Sequence, residues 1–173
     1  MKLSQKNFLH NSSFEIKGLI FSQKTSPAAD MRYGLKPLWY NGCGVISVYN
    51  ALILLNRPHD LREILAYYES HGKWFFGLWG TDPFRISSFL HLSGIKTALC
   101  SPKKAQSGIY IIFLLNKPFK SMHYMTLQVL ENGTIHAYNG YKNTDTVDKY
   151  LSFSDMFLKT NTCPIAMINC NLP

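Results

Sequence analysis

The sequence predicts an α+β domain in which helices pack on a largely antiparallel sheet. Three observations carry this. Helix-period apolar patterns lie between Cys43 and Gly94, strand patterns follow Gly94, and no internal repeat, low-complexity tract or linker divides the chain. A chain of 173 residues, 46% hydrophobic and 16% charged, can bury a core and lies far from the composition of disordered proteins. One domain over residues 1–173 is therefore expected.

The first forty residues have mixed polarity, with a loop signalled around Ser26, Pro27 and Gly34, and no element is assigned there. Over residues 43–55 the run CGVISVYNALILL is apolar almost all round a helix, the pattern of a helix buried in mid-fold. Asp60 with Glu63 three residues on is a capping-box-like start for a second helix, and Gly72 is placed to end it after His71. A third helix is signalled by Thr81 or Asp82 as cap, Pro83 in the first turn, apolar Ile86, Phe89 and Leu90, and Gly94 as the stop. Strands are predicted over 95–99, 108–115, 122–130, 134–138 and 164–169.

Eighteen Lys and Arg against ten Asp and Glu give a formal charge of +8, which suits an anionic partner without selecting among nucleic acid, acidic peptide and membrane surface. No run approaches the ~20 apolar residues of a spanning helix, so no membrane span is expected. Lys2 and Lys6 are not followed by the apolar segment of a secretory signal, which makes a cytoplasmic location the expectation. Cys43, Cys100, Cys163 and Cys170 form no C-x-x-C pair, against a zinc ribbon or thioredoxin motif. Cys163 and Cys170 flank an apolar strand pattern that would hold them ~23 Å apart, too far for a disulfide.

Asn41-Gly42-Cys43-Gly44 puts a thiol in the first turn of the buried helix, between small neighbours. Unpaired N–H groups and the positive end of the helix dipole favour thiolate there, the condition for a nucleophilic cysteine. An inert buried cysteine is the competing reading. A nucleophilic thiol needs a base, and His123 opens a strand whose partner follows through Glu131-Asn132-Gly133. A two-residue Asn132-Gly133 turn would waste the apolar pattern. A three-residue loop with Gly133 left-handed pairs Val129 with Ile135, Leu127 with Ala137 and Met125 with Asn139. His123 is then diagonal to Asn139 on the apolar face, which the Cys43 helix is expected to cover. Nucleophile, base and an orienting amide oxygen follow as the roles of Cys43, His123 and Asn139.

These residues resemble those of the papain-like cysteine peptidases, and among them the bacterial peptidases that trim double-glycine leaders from bacteriocin precursors. The resemblance consists of Cys43-Gly44 opening a helix, His123 opening a strand and Asn139 sixteen residues later. The stretch from Gly80-Thr81-Asp82-Pro83 to Gly94 also looks like the family's intervening helix, and the similarity spans about residues 39–141. Leader peptidases usually carry Asp where this chain has Asn139, the papain choice. The family's oxyanion-stabilising Gln, six residues before the cysteine, is replaced by Pro37. The Cys43 N–H and the Asn41 amide are the nearest donors for that role, and Gln23 reaches the site only if a long loop folds back.

The resemblance implies a papain-like fold and a thiol hydrolase that cleaves a peptide or peptide-like amide through an acyl-enzyme on Cys43. It implies no metal or organic cofactor. Two related readings keep the fold: an acyltransferase that passes the same thioester to an amine, and a non-catalytic peptide-binding module. Lys36, Lys117 and Lys120 hint at an anionic peptide or protein substrate, and scattered lysines without a recognisable module rank nucleic-acid binding low. Trp74, Phe75, Phe76 and Trp79 could wall a substrate groove or pack as core or lid. His10, His59, His71, His91 and His136 have no partner spacing and are read as structural or surface residues.

Overall fold

In the computed structural model, which describes residues 1–75, 78, 80–119 and 121–171, the chain opens with α1 (Leu3–Asn11), the short pair β1 (Arg32–Tyr33) and β2 (Lys36–Pro37), and one-turn α2 (Leu38–Asn41). Next come α3 (Cys43–Leu54), α4 (Leu61–His71) and α5 (Ser88–Leu92). The second half contains β3 (Lys96–Leu99), β4 (Gly108–Asn116), β5 (Ser121–Val129), β6 (Ile135–Tyr138), β7 (Asp148–Tyr150), α6 (Phe153–Thr160) and β8 (Thr162–Asn171). Among the described residues β3 to β8 form one sheet in the order β3-β8-β4-β5-β6-β7, with every neighbouring pair antiparallel. The fold is thus α+β, with helices on an antiparallel sheet. No helix of the described residues is long and apolar enough to cross a membrane.

Asp60 caps α4 by accepting from the Arg62 N–H at 2.8 Å, not through the expected box with Glu63. The third helix is shorter than its pattern. Asp82 accepts from the Phe84 N–H at 2.9 Å, a local turn that uses the side chain the helix needed as its cap, and regular helix begins only at Ser88. Both Cys163 and Cys170 lie in β8, and all four cysteines are free.

The sheet is buried on both faces. Val45, Ile46, Val48 and Leu52 of α3 pack with Ile109, Ile111, Phe113 and Tyr124, and Thr126 donates to the Ser47 carbonyl of α3 at 2.7 Å. The opposite face carries Ile112, Leu114, Met125, Leu127 and Ile135, packed with Met156, Phe153 and Phe157 of α6. This corrects the expectation that α3 covers Met125, Leu127 and Val129. β5 is covered on both faces because it is interior to the sheet, and α6, which no helix prediction included, supplies the second cover.

The β5–β6 register is the three-residue one. Val129 pairs with Ile135 and Leu127 with Ala137, and Gly133, at φ +82°, donates to the Leu130 carbonyl at 2.9 Å. Nothing lies within 4 Å of a Cβ built on Gly133, so only backbone strain opposes a side chain there. Gly133→Ala is therefore expected to cost about 1 kcal/mol, read as a lower urea midpoint at unchanged slope. An unshifted midpoint would contradict the left-handed turn.

The segment around residue 20 folds back across the molecule. Asn50 of α3 is fully buried, accepts from the Ile20 N–H at 2.9 Å and donates to the Ile20 carbonyl at 2.8 Å. The Gly140 N–H then donates to the Phe21 carbonyl at 3.1 Å. These clamps bring residues 22–24 to the end of β6.

Candidate active site

Cys43 is the first residue of α3, and its partly exposed thiol lines a cavity of about 410 Å³. Gly44 behind it lets Thr81 approach, since a Cβ there would stand 2.7 Å from the Thr81 Cβ. The glycine thus serves packing at the helix start as well as access to sulfur.

His123 lines a second cavity of about 360 Å³. By strand alternation it belongs to the Met125 face, whereas α3 and Cys43 belong to the Tyr124 face. The two side chains therefore start from opposite faces of β5. They come to adjoining cavities because β6 ends at Tyr138, opposite Thr126, and leaves the start of β5 open along that side. Tyr40, Ser121 and Met122 line both cavities and form the rim between them.

Asn139 follows β6 in the left-handed region, at φ +58°. It meets His123, but not through its side chain as expected. The His123 Nε2 lies 2.7 Å from the Asn139 main-chain carbonyl, because the left-handed turn swings that carbonyl toward the imidazole. The Asn139 amide is used elsewhere. Its Oδ1 accepts from the Gln23 N–H at 2.9 Å, and its Nδ2 donates to the Gln23 Oε1 at 3.3 Å and the Tyr124 carbonyl at 3.4 Å. Gln23 was the residue that needed a long loop to fold back. The loop does so, yet Gln23 joins Asn139 and lines the His123 cavity, with its Nε2 donating to the Trp39 carbonyl at 2.7 Å.

Asn41 lines the Cys43 cavity, and its Nδ2 donates to the Tyr33 carbonyl at 2.9 Å. Trp74 lines the same cavity and Phe75 is exposed, while Phe76 and Trp79 lie outside the described residues. Neither Lys36 nor Lys117 lines either cavity, and Lys120 lies outside the described residues. The lysine that does line the site is Lys24, beside His123. Sequence reading missed Lys24 and also Tyr141, whose ring lies 5.0 Å from the His123 ring. Lys24 arrives by long-range folding that no local pattern announces, whereas Tyr141 follows Asn139 by two residues and comes with it. None of the other five histidines lines either cavity.

The electrostatics differ from the thiolate expected at a helix start. Burial pushes the Cys43 thiol up, against smaller opposing main-chain hydrogen bonds from Tyr124, Gly44 and Cys43 itself. Burial also pushes the His123 imidazole down from 6.5 to about 4, with the Asn139 carbonyl opposing and the Lys24 charge assisting. The resting pair is thus neutral thiol and neutral imidazole. The reason is that desolvation of both groups outweighs the hydrogen bonds that favour their charged forms.

A stability consequence follows. The folded pKa of His123 lies below its ordinary value, so between pH 6.5 and 4 the unfolded chain binds the additional proton. The stability contributed by the neutral imidazole is complete above pH 6.5 and is lost as pH falls through 4, about 3 kcal/mol in all. His123→Gln should flatten the dependence of the urea midpoint on pH between 6.5 and 5, above most carboxylate titration. An identical slope in the variant would contradict burial of a neutral imidazole.

Among the described residues no group of three or more His, Cys, Asp and Glu is arranged to hold a metal ion. No protein-family model matches the sequence, and no curated protein matches it.

Proposed function

We infer that the chain is a papain-like thiol hydrolase that cleaves a peptide or peptide-like amide through an acyl-enzyme on Cys43. The contact between His123 and Asn139 carries this reading. A carbonyl only accepts, so the 2.7 Å bond assigns the proton to Nε2 and leaves the Nδ1 lone pair as a base of fixed tautomer. Such a base, across a shared rim from a thiol at a helix start, supports the reading because cysteine acyl transfer requires both groups.

In this reading the Cys43 sulfur adds to the substrate carbonyl carbon while the thiol proton passes to His123 Nδ1. The imidazolium then gives that proton to the leaving nitrogen, the C–N bond breaks, and a thioester remains on Cys43. Water attacks the thioester, losing a proton to Nδ1, and the proton returns to sulfur as the acid departs. Because the resting groups are both neutral, the proton moves as sulfur attacks and is not transferred beforehand. The main-chain N–H of Cys43, in the first turn of the helix, is one stabiliser of the oxyanion.

One observation favours the reading without catalysis. Gln23 is engaged with Asn139 and does not line the Cys43 cavity, and burial raises the thiol. Intact-mass measurement after incubation with a peptide mixture and acid quench separates the two. A hydroxylamine-labile acyl adduct on Cys43, absent from Cys43→Ala, is the expected result. Peptide binding with neither adduct nor cleavage would establish the binding module instead.

A further inference from the structure

We propose that the substrate has a bulky apolar residue before the scissile bond and a carboxylate on the residue after it, and that Lys24 selects the carboxylate. The inference rests on the thiol-hydrolase reading and assigns the two sides of its cut.

The assignment begins with the divided site. Cys43 lines one cavity, His123 lines the other, and Tyr40, Ser121 and Met122 form their common rim. Acyl transfer requires the carbonyl carbon at sulfur and the leaving nitrogen at the imidazole. The acyl half of the peptide therefore lies on the Cys43 side, the amine half lies on the His123 side, and the scissile bond crosses the rim.

The two sides differ in charge. On the Cys43 side the walls include Trp74, Leu78, Pro83 and Phe113, and among the described residues no Lys, Arg, Asp or Glu lines it. A charged side chain placed there would lose water without gaining a partner, whereas an aromatic or aliphatic one buries apolar surface. The His123 side joins Gln23, Asn116 and Asn143 to the rings of Trp39 and Tyr141, and among the described residues Lys24 is the charged one that lines it. Lys24 is exposed, and among the described residues its ammonium makes no ion pair. The nearby Asp145 accepts instead from the Thr25 hydroxyl at 3.1 Å. The Lys24 charge is felt at the reacting group, since it helps keep the imidazole unprotonated. A carboxylate entering with the amine half meets this cation, and a lysine is repelled by it. Because the ammonium stays hydrated, the selection is modest and weakened by salt.

An acidic side chain and the free α-carboxylate of a peptide's last residue present the same chemistry. The test digests a peptide mixture that covers all residues on both sides of the cut, once with free and once with amidated C-termini, and sequences the products by mass spectrometry. Wild type, Lys24→Met, Lys24→Glu and Cys43→Ala proteins are compared. Cuts that require Cys43 should follow Phe, Tyr, Leu or Met and precede Asp or Glu about three- to fivefold more often than Lys, with the preference reduced in 0.5 M NaCl. If the α-carboxylate is the ligand, the preference is instead for cuts before the last residue and disappears on amidation. Lys24→Met should level the preference and Lys24→Glu should invert it, with the residue before the cut unchanged. Cys43-dependent cuts with Lys as frequent as Asp, or an acid preference that survives Lys24→Glu, would overturn the proposal and leave the hydrolase reading standing. An absence of any Cys43-dependent cut would overturn both.

Discussion

Cys43→Ala should lower peptide hydrolysis by ~10⁴-fold or more, and His123→Ala by ~10²–10⁴-fold, with the double variant no worse than Cys43→Ala alone. The non-additivity is the informative part. If His123 acts only by taking and returning the proton of Cys43, it has nothing left to do once the sulfur is gone. The loss in Cys43→Ala is not a folding defect. The Cys43 side chain is small and partly exposed, so its removal should move stability by less than about 1 kcal/mol. Single-turnover rates and urea midpoints, measured on the same samples, check both statements. Additive losses in the double variant would show that His123 contributes by some route other than Cys43, and retained hydrolysis in Cys43→Ala would remove the nucleophile from the scheme.

Asn50→Ala should destabilise the fold by about 3 kcal/mol and lower the thermal midpoint by about 10 °C. Its side chain satisfies both main-chain groups of Ile20 at a buried position, and alanine leaves that N–H and carbonyl without their partner. The consequence extends to the site. Ile20 anchors the segment that carries Gln23 to Asn139 and Lys24 to the His123 cavity. Hydrogen exchange at the Ile20 amide should accelerate with the loss of stability, and peptide turnover should fall through KM more than kcat. A thermal midpoint within about 2 °C of wild type would show that the clamp is dispensable.

How much of this was readable depends on where each element gets its stability. α3 was legible because nearly every position of CGVISVYNALIL is apolar, and the β5–β6 register because only one loop length aligns the apolar residues. α1 was not, because its buried residues are Asn7 and Asn11. They are held by hydrogen bonds to Gly34, Glu69 and Arg32, so the helix has no apolar periodicity to detect. α6 carried a signal that went unused. Ser152 accepts from the Asp155 N–H at 3.1 Å, and Ser-x-x-Asp before Met156 and Phe157 is a start motif. Missing α6 also caused the error about α3, since an apolar face with no other visible cover was assigned to the only buried helix in view. Within the site, the residue types at 43, 123 and 139 could be picked from local pattern. Which atom of Asn139 meets His123 depends on one backbone dihedral, and the arrival of Lys24 depends on a clamp to α3 from thirty positions away in sequence.

That dihedral changes what position 139 has to be. Asn139 contributes a main-chain carbonyl to His123, and every residue has one, so the requirement that His123 sets at the position is tolerance of a φ near +58°. Asn and Asp are among the non-glycine residues that enter this region most readily. The asparagine here and the aspartate usual in leader peptidases are then interchangeable as conformers, whatever their difference as functional groups. By the same logic glycine satisfies the imidazole at this position, whereas glutamine, the closer chemical analogue of asparagine, does not.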